Sequence, residues 1–250
     1  MVAPVSGSVD LGGWVGIITG GARGIGEAIA LAVAKEGASI AILDVLDSTE
    51  VEDRVRSCGV DCVSFKCDIR DEDSVKSSIS GVLARYGKVD FLVNNAAILG
   101  RSRGELYEYT VEEFVEVLSV NLVGTFLVTK HVWPIMVKQK WGKIVCIGSI
   151  AGRIGGLLAG PHYTSSKGAI HAFVKWAAKR GAAYGIYVNG IAPGPVATPM
   201  IAAEPYDAKM VPLGRLGVPE DIAQAALFFV SQASNFITGV VLDVNGGIYM

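Results

Sequence analysis

The sequence predicts a single doubly wound α/β domain built on a parallel sheet. Three observations lead there. Short apolar runs alternate with longer stretches of helical period, those runs are apolar almost without interruption, and the first of them opens into a glycine-rich turn. A strand covered on both faces reads as a continuous hydrophobic run, whereas a half-exposed one alternates.

Taken in order, the strand runs are 15–19, 39–43, 62–67, 89–93, 143–147, 186–191 and 240–244. A helical stretch, 27–36, follows the glycine turn. Val75, Ile79, Val82, Leu83 and Tyr86 then repeat at three-to-four spacing, and Asp71, Glu72 and Asp73 place negative charge where that helix begins. Further helices are expected over 111–136, 163–184 and 219–231. Residues 197–216 break the pattern, because Pro199, Pro205 and Pro212 forbid one long helix there; a small flap is expected. No polar linker, repeat or low-complexity tract divides residues 1–250 into two domains.

Composition narrows the function. With 51% hydrophobic and 18% charged residues the chain has material for a large core. Its 22 basic and 24 acidic residues leave a net charge of −2, too little positive field to hold nucleic acid or an anionic membrane surface. The apolar stretch 144–160 is broken by Arg153, and residues 1–10 carry no cation ahead of an apolar segment, so a cytoplasmic protein is expected. Cys58, Cys62, Cys67 and Cys146 have no C-x-x-C or histidine partner, so packed thiols and no metal site are expected.

The turn Thr19-Gly20-Gly21-Ala22-Arg23-Gly24-Ile25-Gly26 lets backbone N–H groups at a helix start approach a pyrophosphate. About 20 residues further on, Asp44 closes the second strand, where a carboxylate accepts hydrogen bonds from the ribose hydroxyls of a dinucleotide. The same charge repels a 2′-phosphate, which favours NAD over NADP. Arg23 argues the other way, since a guanidinium in the turn pairs well with phosphate.

Tyr163 and Lys167 stand four apart, on one face of a helix. A free phenol, with a pKa of about 10, is a poor base at neutral pH. A neighbouring ammonium favours the phenolate, so Lys167 is expected to lower the Tyr163 pKa.

Thr19-Gly20 with Gly24 and Gly26, Asn94-Asn95-Ala96-Ala97, Asn121, Ser149, Tyr163 with Lys167, and Pro193-Gly194 occur together in this order. The whole chain thereby resembles the short-chain dehydrogenase/reductase family, whose fold is a Rossmann-type domain with a seven-stranded parallel sheet. Gly214-Arg215-Leu216 and the ending 244–250 look most like the 3-oxoacyl-carrier-protein reductase branch. Ala97 departs from the glycine more usual in the family, and the flap is short for that branch.

The resemblance implies that Tyr163 exchanges a proton with the substrate oxygen, that Lys167 binds the nicotinamide ribose, that Ser149 holds the substrate oxygen and that Asn121 supports a water relay. It also places Asp68 and Ile69 beside the adenine, Asn95 and Ala96 along the ribose path, and Val196 and Thr198 at the nicotinamide carboxamide, in addition to Gly20, Arg23, Gly24, Ile25, Gly26 and Asp44. A homotetramer is implied as well. The expected activity is NAD(H)-linked interconversion of a small-molecule secondary alcohol and a ketone. Its rivals are an NADPH-linked 3-oxoacyl reductase and a nucleotide-binding scaffold without turnover. The substrate end, near Ile150, Ala151, Arg153, Leu157, Leu158 and Met200, is expected to be largely apolar.

Overall fold

Every strand runs parallel to its neighbours in one seven-stranded sheet of order β3-β2-β1-β4-β5-β6-β7. The computed structural model describes residues 9–101, 104–156 and 158–250; most of the N-terminal segment and Leu157 therefore lie outside the described residues. The strands are β1 (Val15–Thr19), β2 (Ser39–Asp44), β3 (Cys62–Lys66), β4 (Phe91–Asn94), β5 (Gly142–Ile147), β6 (Ile186–Pro193) and β7 (Val241–Val244). The helices are α1 (Gly24–Lys35), α2 (Thr49–Arg56), α3 (Glu72–Tyr86), α4 (Val111–Leu118), α5 (Thr125–Gln139), α6 (Ala151–Ile154), α7 (Pro161–Gly181) and α8 (Pro219–Val230).

Successive strand residues point to opposite faces, and both faces are covered. Ile18, Ile40 and Ile42 pack with Ile29 and Val33 of α1, Val51 and Val55 of α2 and Ile222 and Ala226 of α8. Their neighbours Ile17, Ala41 and Leu43 join Val75 and Val82 of α3, Val128 and Val132 of α5 and Ile170 and Val174 of α7 on the other side. This double burial is the reason the strand runs carry so few polar residues.

Several boundaries differ from the sequence expectation for local reasons. The fourth strand starts at Phe91, later than expected, and at Val89 the Gln139 amide bonds both the N–H and the C=O in place of a neighbouring strand. The expected helix 111–136 is one helical run, but residues Ser119–Gly124 wind as a π-helix. The expected helix 163–184 begins earlier, at Pro161, and ends in a 3-10 turn, Ala182–Tyr184. Helices α2 and α6 went unpredicted.

The order of strands reverses between β1 and β4, so their C-terminal ends open a crevice in the sheet edge. Residues 197–216 form two short 3-10 turns above that edge, Pro199–Ile201 and Ala208–Met210. Their base is clasped by Ala197 N–H to Gly217 O and Gly217 N–H to Pro195 O. Among the described residues no helix is long and apolar enough to cross a membrane. The thiols of Cys62, Cys67 and Cys146 are buried.

The sheet also buries a cation. Lys143 in β5 is 0% exposed, and its Nζ donates to Ser231 O at 2.7 Å and Ser234 Oγ at 2.8 Å. The rings of Tyr187 and Trp141 lie 4.9 and 5.7 Å away. With neutral partners alone, burial pushes its pKa from 10.5 down to about 8. Between those values the unfolded chain binds more protons than the folded one, so stability rises with pH across the window. Denaturant unfolding across it is expected to show a smaller rise for Lys143→Met than for the parent protein; equal rises would refute the assignment.

Candidate active site

The crevice is a cavity of about 440 Å³ that runs from the glycine turn, past the ends of β1, β4 and β5, to the underside of residues 198–206. Of the residues expected at the site, Gly20, Arg23, Gly24, Ile25, Asp44, Asp68, Ile69, Asn95, Ala96, Ser149, Tyr163, Lys167, Val196 and Thr198 line it. Gly26 and Asn121 do not; both act from behind its wall.

At one end, the turn after β1 folds tightly because side chains would obstruct it. A Cβ on Gly26 would meet Gly20 O at 2.0 Å, and one on Gly20 would meet Ala96 Cα at 2.7 Å. Asn95 locks the turn: its Nδ2 donates to Thr19 O and Gly20 O at 3.0 and 2.9 Å, while Thr19 Oγ1 accepts Asn95 N–H and Ala96 N–H. The Asn95 side chain thus shapes the turn from the cavity wall. Arg23, at the cap of helix α1, makes no side-chain capping bond, and Gly24 and Ile25 of the first turn line the cavity.

Asp44 lies beside this turn, 8% exposed, with Oδ2 accepting Ala22 N–H at 2.9 Å and Oδ1 accepting Leu46 N–H at 3.0 Å. Two fixed bonds aim the carboxylate while leaving lone pairs for hydroxyl donors. Arg23 is exposed and forms no ion pair among the described residues. Arg70, which the sequence did not single out, also lines the cavity but is bonded bidentately to Asp68, and that bond holds the Asp68 pKa below the usual carboxylate range. Uncapped N–H groups, a close-approaching backbone and a fixed carboxylate fit a dinucleotide.

At the other end, Ser149 follows β5 and Tyr163 occupies the first turn of α7. Ser149 Oγ accepts Ala151 N–H at 3.0 Å, which leaves its proton free to donate, and His171 Nε2 sits 3.5 Å from Ser149 N. The Ser149 hydroxyl favours the charged form of the Tyr163 phenol. Burial pushes the Tyr163 phenol up to about 12, against that pull.

Lys167 corrects the sequence expectation. Its Nζ donates to Ile147 O at 2.8 Å and lies 5.6 Å from the centre of the Tyr163 ring, and burial pushes its own pKa down to about 8. Burial opposes charge on either group and is the leading cause of both shifts. Asn121 is likewise committed: Oδ1 accepts Ile98 N–H at 2.9 Å, and Nδ2 donates to Ile98 O and Ser166 Oγ, each at 3.0 Å. Both amide protons are taken, so its side chain anchors the site.

The substrate end is apolar, with Ile98, Leu99, Ile150, Ile154, Met200 and Ile201 around Tyr163 and Ser149. Arg153 is turned away, bonded to Val241 O and Asp243. Tyr206, half-buried, reaches the same cavity from the segment after Ile201. Nothing in the sequence around Tyr206 distinguishes it, since only the folding back of this segment carries it there.

The family model described as enoyl-(acyl carrier protein) reductase matches residues 20–249. The chain is 38% identical over 247 residues to the 3-oxoacyl-[acyl-carrier-protein] reductase FabG of Thermotoga maritima, covering 95% of this chain and 98% of that one. A short-chain type dehydrogenase/reductase from Mycobacterium marinum superposes with a TM-score of 0.91 at 31% identity, over 96% of each chain. NAD+-bound xylitol dehydrogenase does so with a TM-score of 0.89 at 33% identity, over 95% of this chain and 99% of that one.

Proposed function

The chain belongs to the short-chain dehydrogenase/reductase family of oxidoreductases, and from that premise we propose that it interconverts a secondary alcohol and a ketone with NAD(H), using Tyr163 as acid and base. The observation that carries this reading is the convergence of Tyr163, Ser149 and Lys167 on one end of a cavity whose other end holds the glycine turn and Asp44. The dinucleotide supplies or accepts the hydride. Tyr163 Oη gives or takes the proton at the substrate oxygen, and Ser149 Oγ donates a hydrogen bond to that oxygen as its charge changes. Lys167 Nζ, held by Ile147 O, keeps a cation within reach of the phenol. Asn121 acts as a positioning residue through Ser166.

NAD(H) is favoured because Asp44 is a buried, doubly bonded carboxylate and neither nearby arginine pairs with it: Arg23 is exposed and Arg70 is taken by Asp68. A 2′-phosphate beside it would meet uncompensated repulsion. The second reading, an NADPH-linked 3-oxoacyl reductase, draws on the likeness to the Thermotoga maritima enzyme and on Arg23 at the cavity wall. Buried thiols fit a reducing cytoplasm. Exposed Val115 on α4, Val123 and Phe126 after it, and Trp176 on α7 leave apolar surface that assembly would cover, and we take the assembly to be a homotetramer.

Tyr163→Phe is expected to lower kcat by about 10²-fold or more while the NADH dissociation constant stays within about twofold; activity within tenfold of the parent would remove the proton-transfer role. Initial rates with both reduced nucleotides should favour NADH by at least about tenfold, or 1.4 kcal/mol, and Asp44→Ala should narrow that ratio. Preference for NADPH would establish the second reading instead. Sedimentation equilibrium is expected to return the mass of four chains, and a monomer mass would sink the assembly.

A further inference from the structure

We propose that His162 is a positioning residue for Tyr163, its imidazole Nδ1 capping the first turn of α7 from within and so fixing the aim of the phenol. This rests on the role given to Tyr163 above. Helix α7 starts without the usual means of satisfying its N–H groups: Gly160 at the cap has no side chain, and Pro161 has no N–H. Tyr163 N–H would be left over in that turn. It donates instead to His162 Nδ1, 2.7 Å away.

The ring is held where this bond requires it. His162 is 0% exposed and meets the Tyr109 ring edge-on, with centroids 5.3 Å apart. Glycines make room for it on two sides, since a Cβ on Gly100 would come within 2.8 Å of the imidazole and one on Gly160 within 2.9 Å. Val117 of α4 closes the pocket beside Gly100.

Accepting through Nδ1 requires a neutral ring whose proton sits on Nε2. Nε2 is buried and finds no partner among the described residues, and charging the ring would add an N–H at Nδ1 that faces the N–H of Tyr163. Burial accordingly lowers the His162 pKa. Glu113 of α4 opposes that shift and Arg101 of the preceding loop adds to it, while Tyr109 is the third titratable side chain facing the ring. The other end of the same residue is secured without a titratable group: Ser166 Oγ donates to Tyr163 O at 2.7 Å and itself accepts from Asn121. The peptide that carries the phenol is thus clamped at both its N–H and its C=O.

The test compares His162→Asn, whose Oδ1 stands in for Nδ1, with His162→Leu, which fills the pocket without an acceptor. Misplacing a reacting group by a fraction of an ångström costs rate without altering remote binding, so His162→Leu is expected to lower kcat by about tenfold or more with NADH affinity unchanged. His162→Asn is expected to recover kcat to within about threefold. Amide hydrogen exchange over 161–166 should quicken in the leucine variant alone, a readout that needs no turnover. In the parent protein, ¹⁵N spectra should show Nδ1 unprotonated and Nε2 protonated. Equal kcat and exchange in both variants, or a proton on Nδ1, would overturn the proposal even if NADH turnover is robust. Absence of turnover in the parent across an alcohol and ketone panel would overturn the role of Tyr163 while exchange and spectra still judged the cap.

Discussion

The site depends on one buried amide. Asn121 bonds both backbone groups of Ile98 in the segment after β4 and the Ser166 hydroxyl of α7, tying two separate parts of the chain to the helical run between α4 and α5. The π-helical winding of residues 119–124 belongs to the same arrangement, since its extra residue per turn changes which way a side chain leaves the helix. At 1% exposure, any bond this amide lost would leave a polar group unpaired at a cost of about 1–3 kcal/mol. The network is therefore close to all-or-none, and the Tyr163 carbonyl sits at its end.

What could be read in advance follows from how many neighbours each feature needs. The strands were legible because burial on two faces leaves an unbroken apolar run, and the glycine turn because its tight backbone admits no Cβ at Gly26. Helix α2 was not, since only Val51 and Val55 of its eight residues are buried and such a stripe is too thin to stand out. The π-helical segment was not, because Leu118, Val120 and Leu122 continue an apolar pattern with no mark of the extra residue. Among site residues, Asp44, Ser149, Tyr163 and Lys167 were legible from motif and spacing, while Arg70 and Tyr206, which also line the cavity, were not. Those that act through backbone groups, His162 on Tyr163 and His171 on Ser149, carry no sequence signal, for their partners are main-chain atoms that no residue pattern encodes.

Asp44 and Asn95 show a related economy. Each sits where a dinucleotide would be read, and each already satisfies backbone of the turn: Asp44 the Ala22 N–H, Asn95 the carbonyls of Thr19 and Gly20. The turn is thus shaped before any ligand arrives, and less ordering entropy has to be given up on binding.

The charges at the reacting end obey the same logic of prior arrangement. Burial drives the Tyr163 phenol up to about 12 and Lys167 down to about 8, so each group on its own resists becoming charged. A phenolate formed beside an ammonium is a different matter, because the two attract in surroundings that screen little. Neither charge is favourable until its partner is present, so the four-residue spacing does not by itself make an acidic phenol. It places Lys167 Nζ 5.6 Å from the centre of the ring whose hydroxyl carries the proton. In the proposed reading, a substrate oxygen between Tyr163 and Ser149 would meet a phenol beside a lysine whose Nζ is anchored on Ile147 O, a carbonyl at the end of a central strand.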